Sequence, residues 1–228
     1  TNILNNSLNN NDKIMILGDY DVDGCVSTSL LVNFFNKLNY KFFSYYIPNR
    51  FTDGYGASLN LIKKLEIQKP NLIILVDCGS TSNATVNYLQ SKKIKTIIID
   101  HHEINKPYPK ANCIINPKKT VDYSKFDYFC ASLLVYFFID TFIKRNKINI
   151  NFSQHLPHVL LSSVADVMPL RKLNRVLALE VFNNQQNISL FNKFLEINNI
   201  LRPLEINDFG YLIGPILNSA GRLGDPSI

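Results

Sequence analysis

Three short apolar runs in this chain each end in residues that can hold a cation or move a proton. Ile14-Met15-Ile16-Leu17-Gly18 leads into Asp19-Tyr20-Asp21-Val22-Asp23-Gly24. Leu72-Ile73-Ile74-Leu75-Val76 leads into Asp77-Cys78-Gly79, and Ile97-Ile98-Ile99 leads into Asp100-His101-His102-Glu103. Carboxylates select hard, oxygen-preferring cations such as Mg2+ and Mn2+, and an added imidazole tilts the choice toward Mn2+. On an extended backbone, Asp19, Asp21 and Asp23 would share one side, where their mutual repulsion is costly without a cation. Asp-x-Asp-x-Asp-Gly also opens calcium loops, but the later ligands of such a loop are missing.

Each of these residues has a plainer reading. The Asp19–Gly24 stretch could be a solvated turn or a helix cap, and Asp77 taken alone is better read as a turn cap. Adjacent histidines diverge on an extended chain, so one of His101 and His102 would ligate and the other face substrate. A lone histidine is usually a hydrogen-bonded core residue, but here Asp100 precedes the pair and two other acidic strand ends exist. Asp166, in Val164-Ala165-Asp166-Val167, is either a helix cap or a further ligand. Arg222, in Asn218-Ser219-Ala220-Gly221-Arg222, is either a surface residue or a guanidinium holding phosphate in a small-residue loop.

The elements that carry these residues follow from apolar periodicity. Strands are expected at Lys13–Leu17, Lys41–Ile47, Leu72–Val76, Lys95–Asp100 and Cys113–Ile115, the last ended by Asn116-Pro117. Between them, helices are expected at Cys25–Leu38, at Ala57–Lys69 closed by Pro70, and at Asn83–Ser91 with Ser82 as cap. This alternation predicts an α/β fold, a five-stranded parallel sheet with its ligands beyond the carboxyl ends of the strands. The second half predicts helices at Ala131–Asn146, His155–Ala165, Leu173–Asn184, Ser189–Asn198 and around Asp208–Leu212. The expected division is therefore one domain over 1–228, with a sheet part (1–128) and a helical lobe (129–228). The final Gly221–Pro226 stretch reads as a loop.

Composition narrows the function classes. Of 228 residues, 46% are hydrophobic, which supports a packed core and argues against wholesale disorder. The longest apolar run, near Cys130–Ile139, is too short to span a bilayer. Thr1–Asn11 is polar and does not read as a signal peptide. The four cysteines, Cys25, Cys78, Cys113 and Cys130, form no Cys-x-x-Cys pair and suit reduced thiols in a cytoplasmic protein. The net charge of +6 beside an acidic rim puts the basic excess elsewhere, which suits a polyanionic partner.

Taken in order, Asp21–Gly24, Asp77-Cys78-Gly79, Asp100-His101-His102 and Val164-Ala165-Asp166 resemble the motifs of the DHH phosphoesterases. Arg50-Phe51-Thr52-Asp53-Gly54-Tyr55-Gly56 and Leu217–Asp225 resemble, more narrowly, the branch that degrades single-stranded DNA from its 5′ end. The resemblance runs from about Lys13 to the end of the chain. It implies a hydrolase of ester bonds, a two-metal 5′–3′ exonuclease of DNA repair and recombination, with two Mn2+ or Mg2+ ions. They would activate water for in-line attack and stabilise the leaving oxygen.

Carried over residue by residue, the resemblance makes Asp21, Asp23, Asp77, His101 and Asp166 metal ligands, with Asp77 as bridge. Asp19 would be a ligand or lie just behind one. His102 would face the scissile phosphate, Asp100 would orient the histidines, and Arg50, Asn218 and Arg222 would contact phosphate or substrate. The implied partners are single-stranded DNA and a single-strand-binding protein, with no membrane. Ile216 stands where the pattern has an arginine. The usual C-terminal substrate-binding domain and its Gly-Gly-His motif are not in the sequence, so the chain is expected to be a fragment. The alternatives are a DHH phosphodiesterase for short oligonucleotides or cyclic dinucleotides and, outside enzymes, a DNA-binding scaffold marked by lost ligands. A pyrophosphatase is disfavoured, because those chains carry His before the first Asp-x-Asp and Leu17 stands there here.

Overall fold

The structure is a computed structural model that describes residues 1–120, 125–184 and 188–223. Five strands form one parallel sheet: β1 (Ile14–Leu17), β2 (Phe43–Tyr46), β3 (Leu72–Val76), β4 (Lys95–Ile99) and β5 (Cys113–Ile115). Their spatial order is β2-β1-β3-β4-β5. Helices α2 (Val22–Lys37), α3 (Leu59–Leu65) and α4 (Asn83–Ser91) connect the first four strands. The order reverses between β1 and β3, which opens a crevice beyond their carboxyl ends.

The strands are short apolar runs because both faces of the sheet are covered. With a side-chain period of two, Ile14, Ile16, Leu72, Ile74, Val76, Ile97 and Ile99 face one layer, packed with Leu31, Phe34 and Phe35 of α2. Met15, Leu17, Ile73, Leu75 and Ile98 face the other, against Leu61, Ile62 and Leu65 of α3 and Val86 and Leu89 of α4. Each side chain buried this way contributes roughly 1.5–3 kcal/mol. The strand ends are thus anchored on both faces.

The second lobe is helical: α5 (Ala131–Arg145), α6 (Leu156–Ala165), α7 (Lys172–Asn183) and α8 (Ser189–Ile197). A further helical run comprises α9 (Ile206–Asp208), a π-helical turn (Phe209–Ile213) and α10 (Gly214–Leu223). Helix α5 lies against α2 and buries Leu133, Phe138 and Phe142 in the core that covers the first sheet face.

Several local expectations are corrected. The polar opening contains a helix, α1 (Asn2–Asn9), which buries Leu4 and Ser7. Helix α3 stops at Leu65 and tightens into a 3-10 turn (Glu66–Gln68), which ends at Lys69 with φ +54° just before Pro70. Ser82 occupies the cap position of α4 but makes no side-chain cap bond. The expected small-residue loop at Asn218–Arg222 and the first three residues of the expected Gly221–Pro226 loop are part of α10; Gly224–Pro226 lies outside the described residues. All four cysteines are free thiols. Among the described residues, no helix is long and apolar enough to cross a membrane.

Candidate metal centre

Beyond Leu17 the backbone turns instead of staying extended. Asp21 becomes the N-cap of α2, its Oδ1 accepting from Gly24 N–H at 2.9 Å, and Asp23 falls in the first helical turn. The three carboxylates therefore do not share one side. The turn can lie this close to the helix because Gly24 has no side chain: a Cβ there would sit 2.4 Å from the Asp19 carbonyl oxygen. From the opposite side, a Cβ on Gly221 of α10 would sit 2.4 Å from the Tyr20 carbonyl oxygen. Two glycines from distant parts of the chain thus close on the Asp19–Tyr20 turn.

The chain brings carboxylates and imidazoles together in three overlapping sets whose ligand atoms lie within 4.8 Å of one another: Asp19, Asp21 and Asp77; Asp23, His101 and Asp166; and Asp77, His101 and His102. His101 Nε2 lies 3.3 Å from Asp77 Oδ1, 3.4 Å from Asp166 Oδ2 and 3.8 Å from Asp23 Oδ2. These approaches lack hydrogen-bond alignment. Both Asp77 oxygens, both His101 ring nitrogens, Asp19 Oδ2 and Asp166 Oδ2 are buried without a hydrogen-bond partner among the described residues. Buried polar atoms are ordinarily bonded, and burying a charge unpaired is costly. Asp77 also holds φ +58°, a left-handed conformation that few residues besides glycine, asparagine and aspartate adopt. The donor set, carboxylate oxygens with imidazole nitrogen, fits Mn2+ or Mg2+.

Protonation follows the same geometry. Burial, then the nearby charges of Asp23 and Asp21, push Asp77 well above the usual carboxylate range. Burial and Asp21 raise Asp19 to about 6, and burial and Asp23 raise Asp166 to about 7. Asp100 goes the other way. Burial opposes its charge but is outweighed by the His102 hydrogen bond and by Ser80, so its carboxyl titrates below the usual range. It accepts from His102 Nδ1 at 2.8 Å, and from the backbone N–H of His101, His102 and Ser80 at 2.8, 3.2 and 2.9 Å. That hydrogen bond raises the His102 pKa, whereas burial lowers that of His101.

Asp23 has a second role. Its oxygens accept the Ala131 and Ser132 N–H groups at 2.6 and 2.9 Å, at the N-terminus of α5. A recess of about 260 Å³ opens beside the carboxylates, lined by Asp19, Asp21, Tyr20, Arg50, Tyr55, Asp166, Asn218 and Arg222. Arg50, Asn218 and Arg222 thus reach the same recess from opposite ends of the chain. Asn218 and Arg222 do so from α10, four residues apart on one helix, not from the expected loop. Asn218 Oδ1 accepts from Val22 N–H at 3.0 Å, which ties α10 to the start of α2. Ile216 lies on the same helix and is partly exposed.

Several participants are missing from the sequence reading. The Tyr55 hydroxyl lies 3.2 Å from His102 Nε2, and its ring meets those of Tyr20 and His102 edge-on. Asn116 Nδ2 donates to Ser80 Oγ at 2.8 Å and to the His102 carbonyl at 2.9 Å. Tyr55 could have been suspected from its Gly-Tyr-Gly setting. Asn116 carried only a strand-ending signal, and Ser80 none.

Comparison with known proteins agrees with this geometry. Residues 13–164 match the model of the DHH family, N-terminal domain. The chain is 33% identical over 240 residues to the single-stranded-DNA-specific exonuclease RecJ of Escherichia coli, covering 99% of this chain and 42% of that protein. It is 28% identical to RecJ of Bacillus subtilis, covering 97% of this chain and 28% of that one. It therefore spans less than half the length of these curated relatives. A crystal structure of exonuclease RecJ bound to manganese has the same fold, with TM-score 0.86 and 24% identity over 99% of this chain and 57% of that chain. RecJ of Thermus thermophilus in complex with Mn2+ superposes with TM-score 0.82 at 22% identity, over 99% of this chain and 32% of that one.

Proposed function

The chain belongs to the DHH family, and on that premise we propose that it is the catalytic part of a metal-dependent, single-stranded-DNA-specific 5′–3′ exonuclease. The observation that carries this reading is Asp77: a fully buried carboxylate with no hydrogen-bond partner among the described residues, common to the all-carboxylate set with Asp19 and Asp21 and the set with His101 and His102. Asp19, Asp21 and Asp77 would hold one Mn2+ or Mg2+ ion and Asp23, His101 and Asp166 a second, with Asp77 shared. When bound, such a pair supplies Lewis acidity at the phosphate oxygens and lowers the pKa of water.

The protein's own groups then have definable tasks. Asp100 holds His102 through Nδ1, which leaves Nε2 to face the scissile phosphate once Tyr55 yields or shares that contact. The raised pKa of His102 favours a protonated ring that donates to a phosphate oxygen. Arg50, Arg222 and Asn218 would grip the terminal phosphate in the recess, where charge-assisted bonds are strongest. A recess of about 260 Å³, closed on one side by α10, suits a strand end better than a passing strand.

The relatives named above are single-stranded-DNA-specific exonucleases. The loop around Arg50 and the Asn218–Arg222 helix favour that substrate over short oligonucleotides or cyclic dinucleotides. A non-catalytic scaffold is disfavoured because Asp19, Asp21, Asp23, Asp77, His101, His102 and Asp166 all fall in sets whose ligand atoms lie within 4.8 Å of one another, which supports retained metal binding. The test is digestion of 5′- and 3′-end-labelled single-stranded and duplex DNA with Mn2+ and with chelator. Mn2+-dependent release of mononucleotides from 5′ ends of single strands is expected. Equal attack on duplex DNA, or release that persists in chelator, would overturn the reading.

A further inference from the structure

Lys118 is a cation that the carboxylate–imidazole cluster does not use. Its Nζ lies 2.9 Å from Glu103 Oε1, and the two side chains are 31% and 80% exposed. Both residues are tied to the site through the backbone. Glu103 directly follows His102. Lys118 N–H donates to Asn116 Oδ1 at 2.8 Å, while Asn116 Nδ2 donates to the His102 carbonyl and to Ser80 Oγ. Ser80 N–H in turn donates to Asp100. The Asn116-Pro117-Lys118 turn is therefore fixed to the strand end that carries the histidines.

A surface lysine–glutamate pair of this exposure adds little to stability, so the fold has little need of it. The lysine is paired with the residue that directly follows His102, and its turn is bonded to the His102 carbonyl through Asn116, so it stands beside the histidine read as facing the scissile phosphate. We propose that Lys118 is a substrate-phosphate contact masked by Glu103. Lys118 exchanges the Glu103 carboxylate for the phosphodiester next along the strand from the one held at the cluster. The exchange replaces one oxyanion by another and returns an exposed carboxylate to water, so neither charge is left buried. A lysine acts here as a point charge, without sequence preference.

This inference rests on the nuclease reading, and its test separates the two. Binding of a fluorescent, phosphorothioate-linked oligothymidylate, which resists hydrolysis, is followed by anisotropy in Mg2+ across a salt titration. Lys118→Met should weaken binding about three- to tenfold and reduce the salt slope by about 0.7, the loss of one single-strand phosphate contact. Lys118→Arg should retain most of the affinity. Glu103→Gln should tighten binding about two- to threefold, and the double variant should match Lys118→Met. With a hydrolysable strand in Mn2+, Lys118→Met should raise KM more than it lowers kcat. Unchanged affinity and slope in Lys118→Met, or weaker binding in Glu103→Gln, would overturn the inference alone. No binding by the unsubstituted chain would overturn the nuclease reading and the inference together.

Discussion

The Asp23 carboxylate accepts the Ala131 amide at 2.6 Å, so a residue of the acid cluster also caps the helix that opens the second lobe. Asp23 therefore serves two ends. One is the site, through His101; the other is the N-terminus of α5, whose four leading N–H groups have no partner within the helix. Asp77, in the same cluster, accepts no hydrogen bond from any of the described residues. Two neighbouring aspartates thus differ in what their loss does to the metal-free fold.

Asp23→Ala should melt lower than the unsubstituted chain in chelator, by roughly 1–2 kcal/mol, because two helix amides lose their acceptor. Relief of repulsion within the cluster offsets part of this but restores no hydrogen bond. Denaturant unfolding in chelator measures it, and unchanged stability would remove the cap role.

Asp77→Asn should be as stable as the unsubstituted chain in chelator, or more so, and should lose Mn2+-dependent hydrolysis. Unit charges about 5 Å apart at an effective dielectric near 20 repel by roughly 3 kcal/mol before proton uptake relieves them. A neutral amide avoids that repulsion, and asparagine, like aspartate, can hold the φ of +58°. The stability added by Mn2+ should shrink in the variant as affinity falls. Paired melts in chelator and Mn2+ read this directly; a variant melting far lower in chelator would make Asp77 a structural cap.

Gly221→Ala should lower activity and stability together, whereas Arg222→Ala should lower activity with little change in stability. A methyl group at 221 meets the Tyr20 carbonyl and pushes α10 off the turn that carries Asp19. Arg222 is exposed, and alanine is a good helix former, so its loss removes only a phosphate contact worth roughly 1.5–3 kcal/mol. Initial rates in saturating Mn2+ with melts on the same samples separate the two. Equal activity of Arg222→Ala would return the arginine to the surface.

The acid limb of stability should carry a contribution from His155. Burial, then His158 and Lys37, depress its pKa to about 4, and its ring lies against Phe152 at 4.3 Å between centroids. The unfolded chain binds this proton near the ordinary histidine value of about 6.5. Between those values the unfolded state holds more protons, so stability falls as pH drops from about 6.5 to about 4. Asp19 and Asp166 have raised values and act in the opposite direction over an overlapping range, so the readout is a difference. Stability curves of the unsubstituted chain and His155→Gln in chelator should diverge below pH 6.5, with the variant flatter. Parallel curves would assign the acid limb to other groups.

What the sequence by itself determined is the sheet and its tipped strands. Runs such as Leu72–Val76 are too short for a helix of ordinary length, rich in β-branched residues and apolar at every position, which only a strand buried on both faces satisfies. The order of those runs, and the polar residues just past them, located the acid rim without any knowledge of packing. Where chemistry depended on contacts between distant residues, only the tertiary structure decided. Asn218-Ser-Ala-Gly reads locally as a loop, yet it is helical, because Gly221 allows α10 to press on the Tyr20 carbonyl. Local propensity is a weak prior that such packing overrides. The cap from Asp23 to α5 spans more than a hundred residues, and the Asn116 link to His102 joins two different strand ends. Neither leaves a mark on local periodicity, because each partner is an ordinary polar residue until the fold brings the other within hydrogen-bonding distance.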